Sequence, residues 1–220
     1  MRSKNSRNHL ICFNDPKSPI AEAYRTLRTN IQFTSFNKEL RSIVVTSADP
    51  GEGKTTTIIN LGIVMAQSDQ KVLLVDADLR RPSIHYKLPL NNEIGLSNLL
   101  INQVEWEEAI QTPADVGFDV ITSGPIPPNP VELINSKQMK ELLVRLKTRY
   151  NMILIDTPPL LPVTDAQVLS SYVDGVLLVI SSGKALGDRV KKAKGLLDHV
   201  GGKVIGTILN KKKVSDMSYY

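Results

Sequence analysis

The chain has 220 residues, enough for one generous domain or two small ones with a sizeable core, and its 41% hydrophobic and 22% charged content is ordinary for a globular protein. A formal net charge of +5 admits an anionic partner, such as a nucleotide, an acidic headgroup or a nucleic acid, without requiring one. A single cysteine, Cys12, and three scattered histidines, His9, His85 and His199, exclude an intrachain disulfide, a thiolate cluster and a histidine-based structural metal, and no apolar stretch approaches the ~20 residues that span a bilayer.

Residues 1–15 are polar, basic and without hydrophobic period, so residues 1–17 read as a flexible arm; with no signal-peptide core there, the chain is expected to be cytoplasmic. Ser18 and Pro19 supply an N-cap and a first-turn proline for a helix over about Ile20–Phe33. Ala23, Leu27 and Ile31 form its apolar stripe. Glu22, Arg25 and Arg28, three residues apart, form a polar one, which spacing alone reads equally well as a solvated face with local ion pairs.

Ser42–Ser47 is an apolar, β-branched run, followed by Ala48-Asp49-Pro50-Gly51-Glu52-Gly53-Lys54-Thr55 and then by Thr56, Thr57 and a helix expected to reach Gln67. A buried strand feeding a tight loop and a helix N-terminus builds a phosphate cradle, because the free amides of the first helical turn converge on one spot. Lys54 adds a point charge at the β- and γ-phosphates, and Thr55 a hydroxyl ligand for Mg2+. The nucleotide-binding candidates are therefore Asp49, Pro50, Gly51, Glu52, Gly53, Lys54, Thr55 and Thr56. They form a P-loop whose usual first glycine is Ala48, so the turn there must suit a Cβ.

Further apolar runs, Lys71–Asp76, Asn151–Asp156, Gly175–Ile180 and Lys203–Asn210, alternate with helical patterns at Val131–Arg149, Asp165–Tyr172 and Gly187–His199. This predicts an α/β fold of the P-loop NTPase type, a mostly parallel central sheet with helices on both faces and ligands at the carboxyl ends of the strands. Between Pro82 and Phe118 short helices are expected around Leu96–Ile101 and Trp106–Ile110. The stiff Pro125-Ile126-Pro127-Pro128 run leads into a helix with Asn129 as N-cap, Pro130 in the first turn and Glu132 closing a capping box, a sufficient structural account of those residues.

Asp76 and Asp156 both end apolar strands. Mg2+ needs only one or two carboxylates beside phosphate and hydroxyl, and Asp156 is placed to hold it through water. Asp76 and Asp78 bring two more acids, which puts three carboxylates near one cradle beside Thr55. A hydrolase needs a positioned water, whereas transfer to a hydroxyl profits from a carboxylate that accepts the proton; a surplus acid fits transfer to an alcohol at least as well as hydrolysis.

Lys54-Thr55, Val75-Asp76-Ala77-Asp78-Leu79-Arg80 and Ile155-Asp156-Thr157-Pro158-Pro159 resemble the Walker A, Walker A-prime and Walker B motifs of the bacterial tyrosine kinases. Glu22-Ala23-Tyr24-Arg25-Thr26-Leu27-Arg28 resembles that family's Glu-x-x-Arg-x-x-Arg oligomerisation helix, and the likeness continues through Gly124–Leu133 to a tail ending in Tyr219 and Tyr220. The resemblance implies a protein-tyrosine kinase dependent on ATP and Mg2+, with a kinase domain over residues 18–210 and a basic, tyrosine-bearing tail over 211–220. Lys54, Asp76, Asp78 and Arg80 would be its catalytic group, with Asp76 as base or metal neighbour, Asp78 and Asp156 completing the Mg2+ environment with Thr55, and Arg80 fixing the loop. Asn210 would read adenine, its amide offering donor and acceptor together.

The same resemblance makes Glu22, Arg25 and Arg28 the contacts of a ring, an octamer, in which Tyr219 and Tyr220 of one subunit are phosphorylated by the next. It implies protein tyrosine substrates and a membrane adaptor that recruits the cytoplasmic chain to the inner face of the membrane in capsule or exopolysaccharide synthesis. No nucleic-acid partner is expected. The tail carries two tyrosines where the family often carries more. The rival reading is a switch ATPase of the partition or septum-positioning type, whose deviant P-loop has a second lysine where this chain has Asp49. Arg189, Lys191, Lys192 and Lys194 read as a solvated helix face rather than a DNA-binding stripe, and Cys12 alone cannot hold the cluster of the iron–sulfur relatives.

Overall fold

The computed structural model describes residues 9–34, 39–183 and 185–212; Tyr219 and Tyr220 lie outside them. The chain runs α1 (Ile11–Asn14), α2 (Pro19–Thr34), β1 (Ser42–Ser47), α3 (Lys54–Ala66), β2 (Val72–Asp76), α4 (Ile84–Lys87), α5 (Leu96–Leu100), α6 (Trp106–Ala109) and β3 (Ile110–Gln111). It continues through β4 (Asp119–Ile121), α7 (Pro130–Ile134), α8 (Lys137–Arg149), β5 (Met152–Asp156), α9 (Asp165–Ser170), β6 (Gly175–Ser181), α10 (Gly187–His199) and β7 (Val204–Asn210).

The strands form one sheet in the order β3-β4-β2-β5-β1-β6-β7, parallel throughout except for β3 against β4. Strands β1, β2 and β5 are buried at every residue, which is why they read as continuous aliphatic runs rather than as alternating ones. Successive side chains still go to opposite faces. Val44, Leu73, Val75, Ile153 and Ile155 pack with α8, α9 and α10 on one side, while Ile43, Val45, Leu74 and Leu154 pack with α3 on the other. The α/β, P-loop NTPase architecture expected from the strand–helix alternation is the one observed. Among the described residues no helix is long and apolar enough to cross a membrane.

The structure departs from the sequence reading in four places. Residues 9–12 are packed rather than free, with Phe13, Asn14 and Asp15 exposed: Leu10 and Cys12 are buried, Cys12 N–H donates to Asn60 Oδ1 at 3.0 Å, and Asn60 Nδ2 donates to the His9 carbonyl at 2.7 Å. The apolar island Leu10–Phe13 is too short to display a period. In α2 the buried positions are Ala21 and Ile31, with Leu27 half-buried, and Ala23 is exposed. The helix expected over Val131–Arg149 is two helices, because Ser136 caps a new start by accepting from Met139 N–H at 3.2 Å. Asn129 and Pro130 do begin α7, but the expected capping box is replaced by Asn129 Nδ2 donating to Glu132 Oε2 at 3.2 Å.

Candidate active site

The loop between β1 and α3 turns on two glycines in the left-handed region, Gly51 at φ +77° and Gly53 at φ +99°. A Cβ on Gly53 would also stand 2.0 Å from Asn210 Nδ2, so a side chain there would have to displace the Asn210 amide besides adopting a strained φ. Ala48 is buried and has no positive φ, so its methyl is accommodated without strain. Glu52, 4% exposed, braces the loop from inside: Oε2 accepts from Asp49 N–H at 3.2 Å and Oε1 from Ser181 N–H at 3.3 Å. Pro50 is at the exposed tip, and within α3 the Thr56 carbonyl accepts from Asn60 Nδ2 at 2.9 Å.

Lys54 opens α3 and is buried. The Thr55 hydroxyl donates to Asp156 Oδ2 at 2.6 Å and accepts from Ser83 Oγ at 3.1 Å. Asp76 and Asp156 are partners on one rung of the β2–β5 ladder, and both are fully buried. Asp76 Oδ1 accepts from Asp78 N–H, and its Oδ2 from the amides of Ser83 and Ile84 at 3.2 and 3.1 Å. Asp156 Oδ1 is buried with no hydrogen-bond partner among the described residues.

Burial, reinforced by the neighbouring Asp156, raises the Asp76 carboxyl well above its ordinary range, and burial lifts Asp156 to about 7 against the opposing pull of Thr55 and Lys54. Two stacked acids, a hydroxyl and an orphaned carboxylate oxygen are the donor set that a hard divalent cation satisfies, so Thr55, Asp76 and Asp156 fit Mg2+. Asp78 stands beside this pair, two residues after Asp76. No three acidic, histidine or cysteine side chains converge on one point among the described residues, and Asp78 Oδ1 is occupied by the amides of Arg80 and Arg81 at 3.3 and 3.0 Å.

Arg80 Nε donates to both oxygens of Asp165, at 3.0 and 3.2 Å, tying the loop after β2 to the first turn of α9, where Asp165 is fully buried. Arg189 stays exposed while making a bidentate ion pair with Asp49; Lys191 and Lys192 are exposed as well, and Lys194 pairs with Asp198 at 2.6 Å. At the end of β7, Asn210 Nδ2 donates to the Glu52 carbonyl at 2.8 Å and Lys211 Nζ to the Gly51 carbonyl at 2.6 Å, which sets Asn210 directly over the loop. The α2 residues stand apart from this cluster. Arg25 bonds Glu22 and the Pro16 carbonyl, while Arg28 Nη1 donates to the Val64 carbonyl at 2.8 Å. No sequence signal marks Ser83, Asp165 or Arg189 as partners of the site.

The AAA domain family matches residues 40–187. Over 219 residues the chain is 47% identical to the tyrosine-protein kinase YwqD of Bacillus subtilis (strain 168), an alignment covering 100% of this chain and 92% of that protein. The chain belongs to the bacterial tyrosine-protein kinases. The tyrosine kinase assignment holds in three dimensions: the kinase domain of Escherichia coli tyrosine kinase ETK superposes with a TM-score of 0.91 at 38% identity, over 96% of this chain and 83% of that one. The septum site-determining protein MinD of Pyrococcus horikoshii, complexed with Mg-ADP, shares the fold more distantly, with a TM-score of 0.67 at 25% identity over 81% of this chain and 74% of that one. As a tyrosine kinase of this family the chain is an ATP-binding P-loop transferase.

Proposed function

We propose that the kinase domain, residues 18–210, transfers the γ-phosphoryl group of ATP to Tyr219 and Tyr220 in the tail of a neighbouring subunit, and to tyrosines of other proteins. The observation that carries this reading is the buried rung of Asp76 and Asp156 beside the Thr55 hydroxyl, with one carboxylate oxygen left unmatched. Mg2+ held by Thr55 and Asp156, with Asp76 adjacent, would supply charge compensation to the phosphates. Lys54 binds the β- and γ-phosphates and steadies the charge that develops in transfer. Asp76, oriented by three backbone amides and made basic by burial, takes the proton of the acceptor hydroxyl. Asp78 and Arg80 hold the loop that carries Asp76, and Asn210 reads the adenine edge.

Glu22, Arg25 and Arg28 are proposed to build a closed ring, octameric by family likeness. A membrane adaptor would bring the kinase to the inner face of the membrane, where it serves capsule or exopolysaccharide synthesis. The switch-ATPase reading loses ground because the P-loop position that needs a cross-dimer lysine holds Asp49, already paired within the chain to Arg189. Incubation of the purified chain with ATP and Mg2+ should yield phosphotyrosine, and Lys54→Met should abolish it with an unchanged circular dichroism spectrum. Phosphotyrosine retained by a folded Lys54→Met chain would refute the mechanism.

A further inference from the structure

Beyond the end of β4 lies a groove of about 450 Å³ that the nucleotide site does not use. Pro125, Ile126, Pro127 and Pro128 line one wall, and Ile101 and Leu133 add to its apolar surface. Ile126 is 63% and Ile101 49% exposed. Prolines present carbon and carbonyl oxygen but no N–H, so this wall cannot satisfy itself with backbone hydrogen bonds. Asn98, Gln103, Asn129 and Glu132 line the groove with donors and acceptors. The Ser97 hydroxyl also lines it, on a residue 4% exposed, and has no hydrogen-bond partner among the described residues. A buried hydroxyl left unmatched is costly, and marks a place that an outside group completes.

The groove shares the carboxyl edge of the sheet with the active site. Ile121 of β4 pairs with Val75 of β2, so the chain running on from Ile121 to Gly124 passes beside Asp76. We propose that the groove is the docking subsite for the acceptor tail of another copy of this chain, with Val214 and Met217 on the proline wall and the Lys211–Lys213 run near Glu132. The proposal rests on Tyr219 and Tyr220 being phosphoacceptors. The chemistry matches: Glu132 is the one ionisable side chain lining the groove among the described residues, and the tail begins with three consecutive lysines, then sets apolar residues three apart among serines and an aspartate. Met217 precedes Tyr219 by two residues, a span of ~7 Å, while β4 and β2 are one strand spacing apart, ~5 Å.

Strand order decides whose tail can enter. The tail starts after β7, five strand steps from β4, which at ~4.7–4.9 Å per step is roughly 24 Å. From Asn210 at the end of β7, Val214 and Met217 lie four and seven residues on, reaching at most ~14 and ~25 Å. A subunit's own tail therefore cannot place Val214 in its own groove and brings Met217 there only at full stretch, so both residues sit on the proline wall together only when the tail comes from another copy.

The test uses the kinase with its own Tyr219 and Tyr220 changed to Phe, at concentrations far below those of a synthetic peptide spanning Lys211–Tyr220. Ile126→Glu should raise the KM for the peptide about tenfold, with kcat and the KM for ATP near the parent values. Glu132→Lys should also raise it, and weaken its dependence on salt. A peptide carrying Val214→Ser and Met217→Ser should lose about as much on the parent enzyme but little more on Ile126→Glu, the non-additivity of a shared contact. Unchanged peptide KM in both groove variants, or fully additive losses, would overturn the subsite. If the parent enzyme labels a random glutamate–tyrosine copolymer but not the peptide, the acceptor reading of Tyr219 and Tyr220 falls, and the subsite with it.

Discussion

Arg189 reaches from the first turn of α10 to the phosphate loop and takes both carboxylate oxygens of Asp49, holding that carboxyl below its ordinary range. The loop thus carries an acid that would repel a triphosphate, neutralised by a cation from a helix 140 residues further along the chain. Arg189→Ala should leave the Asp49 charge facing the nucleotide and raise the KM for ATP roughly threefold to tenfold with little change in kcat. Adding Asp49→Asn should restore most of the loss. Titration with a fluorescent ATP analogue checks both, and equal affinity in Arg189→Ala would show that the pair plays no part in binding.

Arg80 and Asp165 form a second bridge, of a different kind, because Asp165 is fully buried. Removing the guanidinium strands a carboxylate in the core. Breaking a buried pair costs about 3–5 kcal/mol, and since the Arg80 side chain is about one-third exposed the loss in Arg80→Ala should be nearer ~2–3 kcal/mol. Asp165→Asn in the same background should recover part of it. Urea midpoints of the three variants measure the effect.

The Asp76–Asp156 rung makes stability depend on pH. Asp156 has its carboxyl at about 7 in the folded chain against 3.8 unperturbed, so between about pH 4 and pH 7 the folded state keeps a proton that the unfolded state has released. Stability of the nucleotide-free protein therefore falls as pH rises through this window, by on the order of a few kcal/mol. Asp156→Asn should flatten the slope in chemical denaturation at pH 5 and pH 8. Mg2+ with ADP should flatten it as well, by stabilising the ionised pair. A slope of opposite sign would refute the assignment of these acids as buried and adjacent.

The three residues of the α2 stripe should separate on substitution. Among the described residues the Arg25 side chain bonds Glu22 and the Pro16 carbonyl, whereas Arg28 donates to the carbonyl of Val64 in the last turn of α3, where a cation also meets the negative end of the helix. Arg25→Glu should convert a ring to monomers in light scattering with the melting temperature nearly unchanged. Arg28→Glu should lower the melting temperature by several degrees in addition. Unchanged mass in Arg25→Glu would return this helix to a solvated face.

Much of the site was legible because its parts are local. The loop from Ala48 to Thr55 needs glycine at two left-handed positions and a lysine and threonine at a helix start, and each of those demands leaves a residue in the sequence. The strand-end acids were legible for the same reason. What could not be read were pairings across long separations: Arg189 with Asp49 and Arg80 with Asp165 join residues 140 and 85 apart, and no periodicity reports them. Strand β4 has three residues and β3 two, too few to show alternation, and their place in the sheet comes from pairing rather than from propensity. The split between α7 and α8 was readable in principle, since Ser136 is an ordinary N-cap residue, but the amphipathic pattern running across it concealed the break.

The distance between the two central acids is set by the hydrogen-bond ladder of the sheet rather than by any loop. Asp76 and Asp156 are the last of five rungs that begin with Val72 and Met152. The sheet therefore acts as a ruler, and its divisions are alternately usable. One residue inserted within β2 would advance the chain by ~3.3 Å and turn the acid to the opposite face of the sheet, whereas two would restore the face but overshoot the loop. An insertion of any length between β3 and β4 would leave the rung untouched. Tolerance to changes in chain length should thus be sharply uneven across this protein, strict in the aliphatic runs that look most interchangeable and loose in the polar connections around them.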